Sequence, residues 1–114
     1  MQYGGVESVE ETYVRQRGSQ SLRVKVVLDP LIQRIVNVSP IALSRLDNQF
    51  GDESTEEYRQ AAISGALTAL TDADTGGAVT IVEVDCVPAH STPDDVRVST
   101  LIATSLAIRK LAGH

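Results

Sequence analysis

Between Leu22 and Leu28 the chain alternates between two faces: Leu22, Val24, Val26 and Leu28 share one, Arg23 and Lys25 the other. A period of two with one apolar face predicts a half-buried strand. Upstream, Val6–Arg15 is rich in Val, Thr and Tyr and reads as a second strand despite its acids. The polar stretch between them, Gln16–Ser21, has a central glycine and suits a hairpin loop. Asp29-Pro30 interrupts the pattern, Leu31–Val38 resumes it as a third strand, and Ser39-Pro40 ends it.

The period then changes. Ile41–Glu53 carries a weak signal, a short helical turn around Ala42–Leu46 followed by a loop from Asn48 to Asp52. Ser54-Thr55-Glu56-Glu57 has the form of a capping box, in which the hydroxyl accepts from a free first-turn amide and Glu57 reaches back. It predicts a helix to about Thr71, with Tyr58, Ala62, Gly65 and Ala69 on one stripe. That stripe is mostly small, so the helix can approach a neighbour closely. Gly76-Gly77 reads as a helix C-cap. The strand Val79–Val87 follows, with Thr80, Val82, Val84 and Cys86 inward and Ile81, Glu83 and Asp85 opposite. Thr92-Pro93-Asp94-Asp95 starts the last helix: Thr92 caps, proline suits the first helical position, and the acids favour the positive end of the dipole. This helix runs to about Ala112 with Val98, Leu101, Ile102, Ser105, Ile108 and Ala112 inward. The order is β-β-β-α-β-α. It predicts an α+β two-layer sandwich, a four-stranded sheet with two helices on one face.

At 114 residues, one domain spanning 1–114 is expected. With one Phe, three Tyr and no Trp, the core must be aliphatic, and aromatic platforms for single-stranded nucleic acid are not expected. The single Cys86 excludes an intramolecular disulfide and a cysteine zinc site. No apolar run approaches membrane-spanning length, and Met1–Glu11 lacks the order of a signal peptide, so no membrane role and a cytoplasmic address are expected. The net charge of -5 disfavours generic nucleic-acid binding. Yet Arg15, Arg17, Arg23 and Lys25 all fall between Thr12 and Leu28, a stretch without an acid.

Candidate chemistry concentrates in two places. His90, with Cys86, Ser91 and Asp94 nearby in sequence, raises a hydrolase reading, but nothing marks Ser91 as an activated nucleophile, and polar residues at a helix start serve as caps. One histidine and scattered carboxylates have no metal-ligand spacing. Gly76-Gly77 leads from a helix into a strand, the reverse of a phosphate loop. No enzyme activity and no cofactor are expected. The hairpin is different. Arg15, Arg17 and Arg23 with Gln16 and Gln20 can donate to phosphate and sugar oxygens, and the guanidinium fork suits phosphate. The partner is then RNA, or an acidic protein surface.

With these residues placed, the chain from about Glu11 to Ala112 resembles the fourth domain of translation elongation factor G. Arg17-Gly18-Ser19-Gln20 followed by Leu22–Asp29-Pro30 looks like that family's glycine-rich tip loop and the strand after it. Glu57-Tyr58, Gly65 and Ala69-Leu70 are similar to its first helix, Gly77 to the glycine before its next strand, and Asp94, Ala103, Ser105-Leu106-Ala107 and Arg109 to its last helix. The resemblance implies the ribosomal protein S5 domain 2-like fold with a left-handed crossover. It also implies that Gln16–Ser21 and Pro88–Pro93 lie together at a tip, bringing Arg17, Gly18, Gln20 and His90 to a contact with the ribosome. The chain has no glycine-lysine-serine or glycine-lysine-threonine phosphate loop, so GTP is not an expected ligand. The expectation is a stand-alone, non-catalytic module contacting RNA or the ribosome. The alternative is a protein-interaction or homo-oligomeric module of the same fold.

Overall fold

The computed structural model describes residues 8–17, 20–86 and 91–113. The element order is β1 (Val9–Arg17), β2 (Gln20–Asp29), β3 (Arg34–Val38), α1 (Pro40–Phe50), α2 (Asp52–Asp72), β4 (Gly77–Asp85) and α3 (Pro93–Ala112). The sheet runs β1-β2-β4-β3, with β2 antiparallel to both β1 and β4, and β3 parallel to β4. The architecture is α+β in two layers. Leu22, Val24, Val26 and Leu28 of β2 are buried beneath the helices, as their alternation requires.

Three helices are present where two were expected. Ser39 caps α1 through its hydroxyl, which accepts from the Ala42 amide, and Pro40 occupies the first turn. Asn48 to Phe50 are therefore helical, and the break falls on Gly51, whose φ of 80° reverses the chain before α2. Because α2 already starts at Asp52, Ser54 lies inside the helix and the expected Ser54–Glu57 capping box is not its N-terminus. The stripe on α2 holds: Tyr58, Ala62, Gly65 and Ala69 are buried, joined by Ala66 and Leu70. Gly65 sits where α2 meets α3. A Cβ there would collide with the carbonyl oxygen of Arg97 and stand 3.1 Å from the Leu101 nitrogen.

Gly76-Gly77 does not cap α2. The helix closes at Ala73, and Asp74 takes the left-handed conformation with φ 51°. Gly76 instead lies against the Ile32 carbonyl, and the Gly77 amide donates to the Gln33 carbonyl at 2.8 Å as β4 begins.

The phase of β4 departs from plain alternation. Lys25 pairs with Glu83 but Val26 pairs with Ile81, so Val82 is the extra residue of a β-bulge. Val79 and Ile81 are inside before the bulge, and Val84 and Cys86 after it. Thr80 and Val82 are not the inner-face residues expected, and Ile81 is fully buried rather than opposite. On α3 the buried row is Val96, Ser99, Thr100, Ala103, Thr104 and Ala107, while Val98 and Ala112 are exposed. Close packing on α2 selects small side chains, and Thr100 satisfies its hydroxyl by donating to its own helix at the Val96 carbonyl, 2.7 Å away. At the far end of α3, Lys110 Nζ donates to the Glu10 carbonyl at 3.4 Å, bringing the last helix beside the start of β1.

Candidate contact site at the hairpin end

The β1–β2 ribbon outruns the sheet. The last pair between β2 and β4 is Arg23 with Asp85, whereas β1 and β2 continue through Leu22, Ser21 and Gln20 to the pair Arg17 with Gln20. Those further positions extend the ribbon by about 10 Å at ~3.3 Å per residue. Gly18, and with it the expected tip of the loop, lies outside the described residues, as does His90. Arg17 and Gln20 are placed here by their backbone pairing alone.

Register divides the remaining candidates between two faces. Arg15 stands opposite Leu22, on the helix-covered side. Arg23 stands opposite Val14, and Gln16 opposite Ser21, on the open side. Arg15 and Arg23 each meet a carboxylate. Arg15 Nη1 donates to Asp95 Oδ1 at 2.8 Å, with the two side chains 21% and 26% exposed. Arg23 Nε lies 3.3 Å from Glu83 Oε2 and is half exposed. Lys25 Nζ lies 3.5 Å from Glu10 Oε1 on the same open face.

Asp95 joins the hairpin to α3. Its Oδ2 accepts from the Thr92 amide at 2.9 Å while Thr92 Oγ1 accepts from the Asp95 amide at 3.2 Å, completing a capping box. Tyr58 on α2 donates to the Ser91 carbonyl at 3.0 Å and ties down the chain entering α3. The Arg15 hydrogen bond, opposed by burial and helped by Thr92, brings the Asp95 carboxyl down to about 2. The same bond raises Arg15. A carboxylate with a depressed folded-state pKa contributes stability that is fully present above its unfolded value near 4 and is lost as pH falls through the folded value. The shift corresponds to about 2 kcal/mol. In urea titrations Asp95→Asn is therefore expected to be about 2 kcal/mol less stable than wild type at pH 6, with the difference shrinking towards zero near pH 2. A difference that does not change with pH would show that Arg15 does not hold the carboxylate.

Cys86 is 7% exposed, and burial pushes its thiol up to about 11 against a smaller opposing contact from Ser91. Gln49 Oε1 accepts from the Cys86 amide at 3.2 Å and sits 3.6 Å from the thiol, and Gln49 Nε2 reaches Asp85 at 3.4 Å. A thiol so placed stays protonated at neutral pH and is a poor nucleophile. Val14, Gln16, Ser21, Arg23, Asp85 and Cys86 line an open groove of about 260 Å³ beside the ribbon. Among the described residues no group of three or more His, Cys, Asp or Glu could hold a metal ion, and no helix is long and apolar enough to cross a membrane.

The structure thus brings Gln16 and Arg23 together on the groove and separates Arg15 from them. It adds Asp95 and Glu83 as arginine partners. No signal in the sequence could have paired Arg15 with Asp95, because 80 positions separate them.

No protein-family model matches the chain, and no curated protein matches it in sequence. Among solved structures the chain is similar to the Thermus thermophilus protein ttk003000868, with a TM-score of 0.61 over 93% of the chain at 13% identity. The match spans 16% of that protein's length. At this identity the likeness is one of fold.

Proposed function

We propose that this chain is a non-catalytic contact module of the elongation factor G domain IV type, working through the hairpin end of its sheet. The observation that supports the reading is the ribbon itself, which leaves the sheet at the Arg23–Asp85 pair and carries Gln16 and Ser21 on its open face. Ribosomal RNA is the partner that the resemblance brings with it, with Arg15, Gln16, Arg17, Gly18, Gln20, Arg23 and His90 as the contact set. Phosphate contacts release counterions, so such binding falls steeply with salt.

A second reading, contact with a protein surface, is favoured by the Arg15–Asp95 and Arg23–Glu83 pairs, which engage two of the three hairpin arginines before any phosphate arrives. Co-sedimentation with ribosomes separates the two. For RNA contact, pelleting at low salt is expected to fall about tenfold or more at high salt, and likewise on changing Arg17 and Arg23 to Ala together. Pelleting that ignores both, or none at low salt, overturns the ribosomal reading. Arg15 is left intact in this test because its loss would also remove the tie to α3.

A further inference from the structure

The stretch from Thr12 to Leu28 has no acid of its own, yet every basic side chain described within it meets a carboxylate brought from outside. Asp95 comes from α3 to Arg15, Glu83 from β4 to Arg23, and Glu10 from the start of β1 to Lys25. The fold neutralises a segment that is strongly basic along the chain. A phosphate reaching the hairpin end finds these cations with an acid already beside them.

The acids differ in how firmly they hold. Glu10 is 59% exposed and stands 3.5 Å from the Lys25 amine, and an exposed pair of that kind exchanges partners with little loss. Glu83 stands 3.3 Å from an arginine that is itself half exposed. Asp95 is fixed by more than its arginine. Its second oxygen accepts from the Thr92 amide within the first turn of α3, so the carboxylate cannot swing aside with Arg15. While Asp95 stays bound, Arg15 offers a partner a neutralised charge and an incomplete guanidinium fork. To grip a phosphate fully, Arg15 has to leave Asp95, and it then leaves an unpaired negative charge behind.

We propose that Asp95 is an internal competitor of RNA phosphate for Arg15, holding that arginine back from the contact and so limiting the affinity of the hairpin end. The inference rests on the RNA reading proposed above and adds to it a residue that weakens the contact. Glu83 acts in the same way on Arg23, with less hold.

Co-sedimentation with ribosomes over a salt series tests this. Asp95→Asn removes the charge but keeps a side-chain oxygen for the Thr92 amide. At low salt it is expected to bind about fivefold more tightly than wild type, and the slope of log affinity against log salt should steepen by about 1, the mark of one further phosphate contact. Adding Arg15→Ala to it should abolish both changes. Asp72→Asn makes the same change of net charge on an exposed residue at the end of α2, near the start of β4, whereas the hairpin lies beyond the end of β4. It should produce neither change. If circular dichroism shows that Asp95→Asn does not fold, Glu83→Gln, alone and combined with Arg23→Ala, decides in its place. Wild type that pellets while the neutral variant binds no better overturns this inference alone. So does a gain that Asp72→Asn matches, or one that survives loss of the arginine. Wild type that stays in solution at low salt overturns the ribosomal reading, and this inference falls with it.

Discussion

Leu70→Ala is expected to lower the stability of the domain by about 3–4 kcal/mol, in the middle of the range for emptying a leucine site in a core. Leu70 is fully buried near the end of α2, in the same apolar cluster as Leu28 and Val79. A Cβ built on Gly77 would come within 3.4 Å of its Cδ2, which shows how tightly the helix meets the first residue of β4. The cost depends on how far the surroundings can collapse into the space. Here one wall is hydrogen-bonded sheet, with β4 held by β2 on one side and β3 on the other. Strands paired on both sides cannot shift inward without breaking their ladders, so most of the cavity should remain. Urea denaturation with an unchanged m-value checks this. A loss below about 1.5 kcal/mol would mean that α2 settles into the gap and is not rigidly seated.

Gly65→Ala is expected to destabilise by about 2 kcal/mol, even though alanine gains about 1 kcal/mol over glycine in a helix interior. The added methyl meets the backbone of α3 at Arg97 and Leu101, not the end of a movable side chain. No rotamer change relieves it. The helices must separate, loosening the buried row Ser99, Thr100 and Ala103 along with Ala62 and Ala66. Overpacking of this kind typically costs about 1–3 kcal/mol and occasionally more. Thermal denaturation should show a midpoint lower by roughly 5–10 °C. A higher midpoint, the outcome if helix propensity dominated, would show that α2 and α3 are not in close contact.

The parts of this fold legible in the sequence are those where one local rule acts alone. β2 alternates cleanly because β1 and β4 flank it and one face meets the helices. The start of α3 is equally plain, since Thr92, Pro93 and Asp95 each satisfy a first-turn requirement from adjacent positions. Failures arise where tertiary structure sets the terms. The bulge at Val82 is defined by its pairing with β2, so alternation read along β4 alone assigns Thr80 and Ile81 to the wrong sides. α3 buries threonine and serine in preference to Val98 because its neighbour is a helix with glycine and alanine at the contact, a fact located on α2. The extent of α1 is obscured by its polar end, where Asn48 and Gln49 resemble a loop. Gln49 is in fact bonded to Cys86.

The candidate site follows the same division. That Gln16 and Arg23 sit at a hairpin end is readable from the two strands and the polar stretch between them. That Arg15 turns to the other face and is bonded to Asp95 is not, because parity decides the face and a distant helix supplies the partner. Basic residues clustered in sequence are therefore split in space, and the net charge of the hairpin surface is lower than its composition suggests.

The meeting of Lys110 with Glu10 has an architectural consequence. Because the final helix returns to where the first strand sets out, both connections to any flanking polypeptide would pass through one side of the body, with the protruding ribbon held opposite. A unit built this way can be spliced into a surface turn of a host protein without prying that host apart, presenting its ribbon on the side away from the junction.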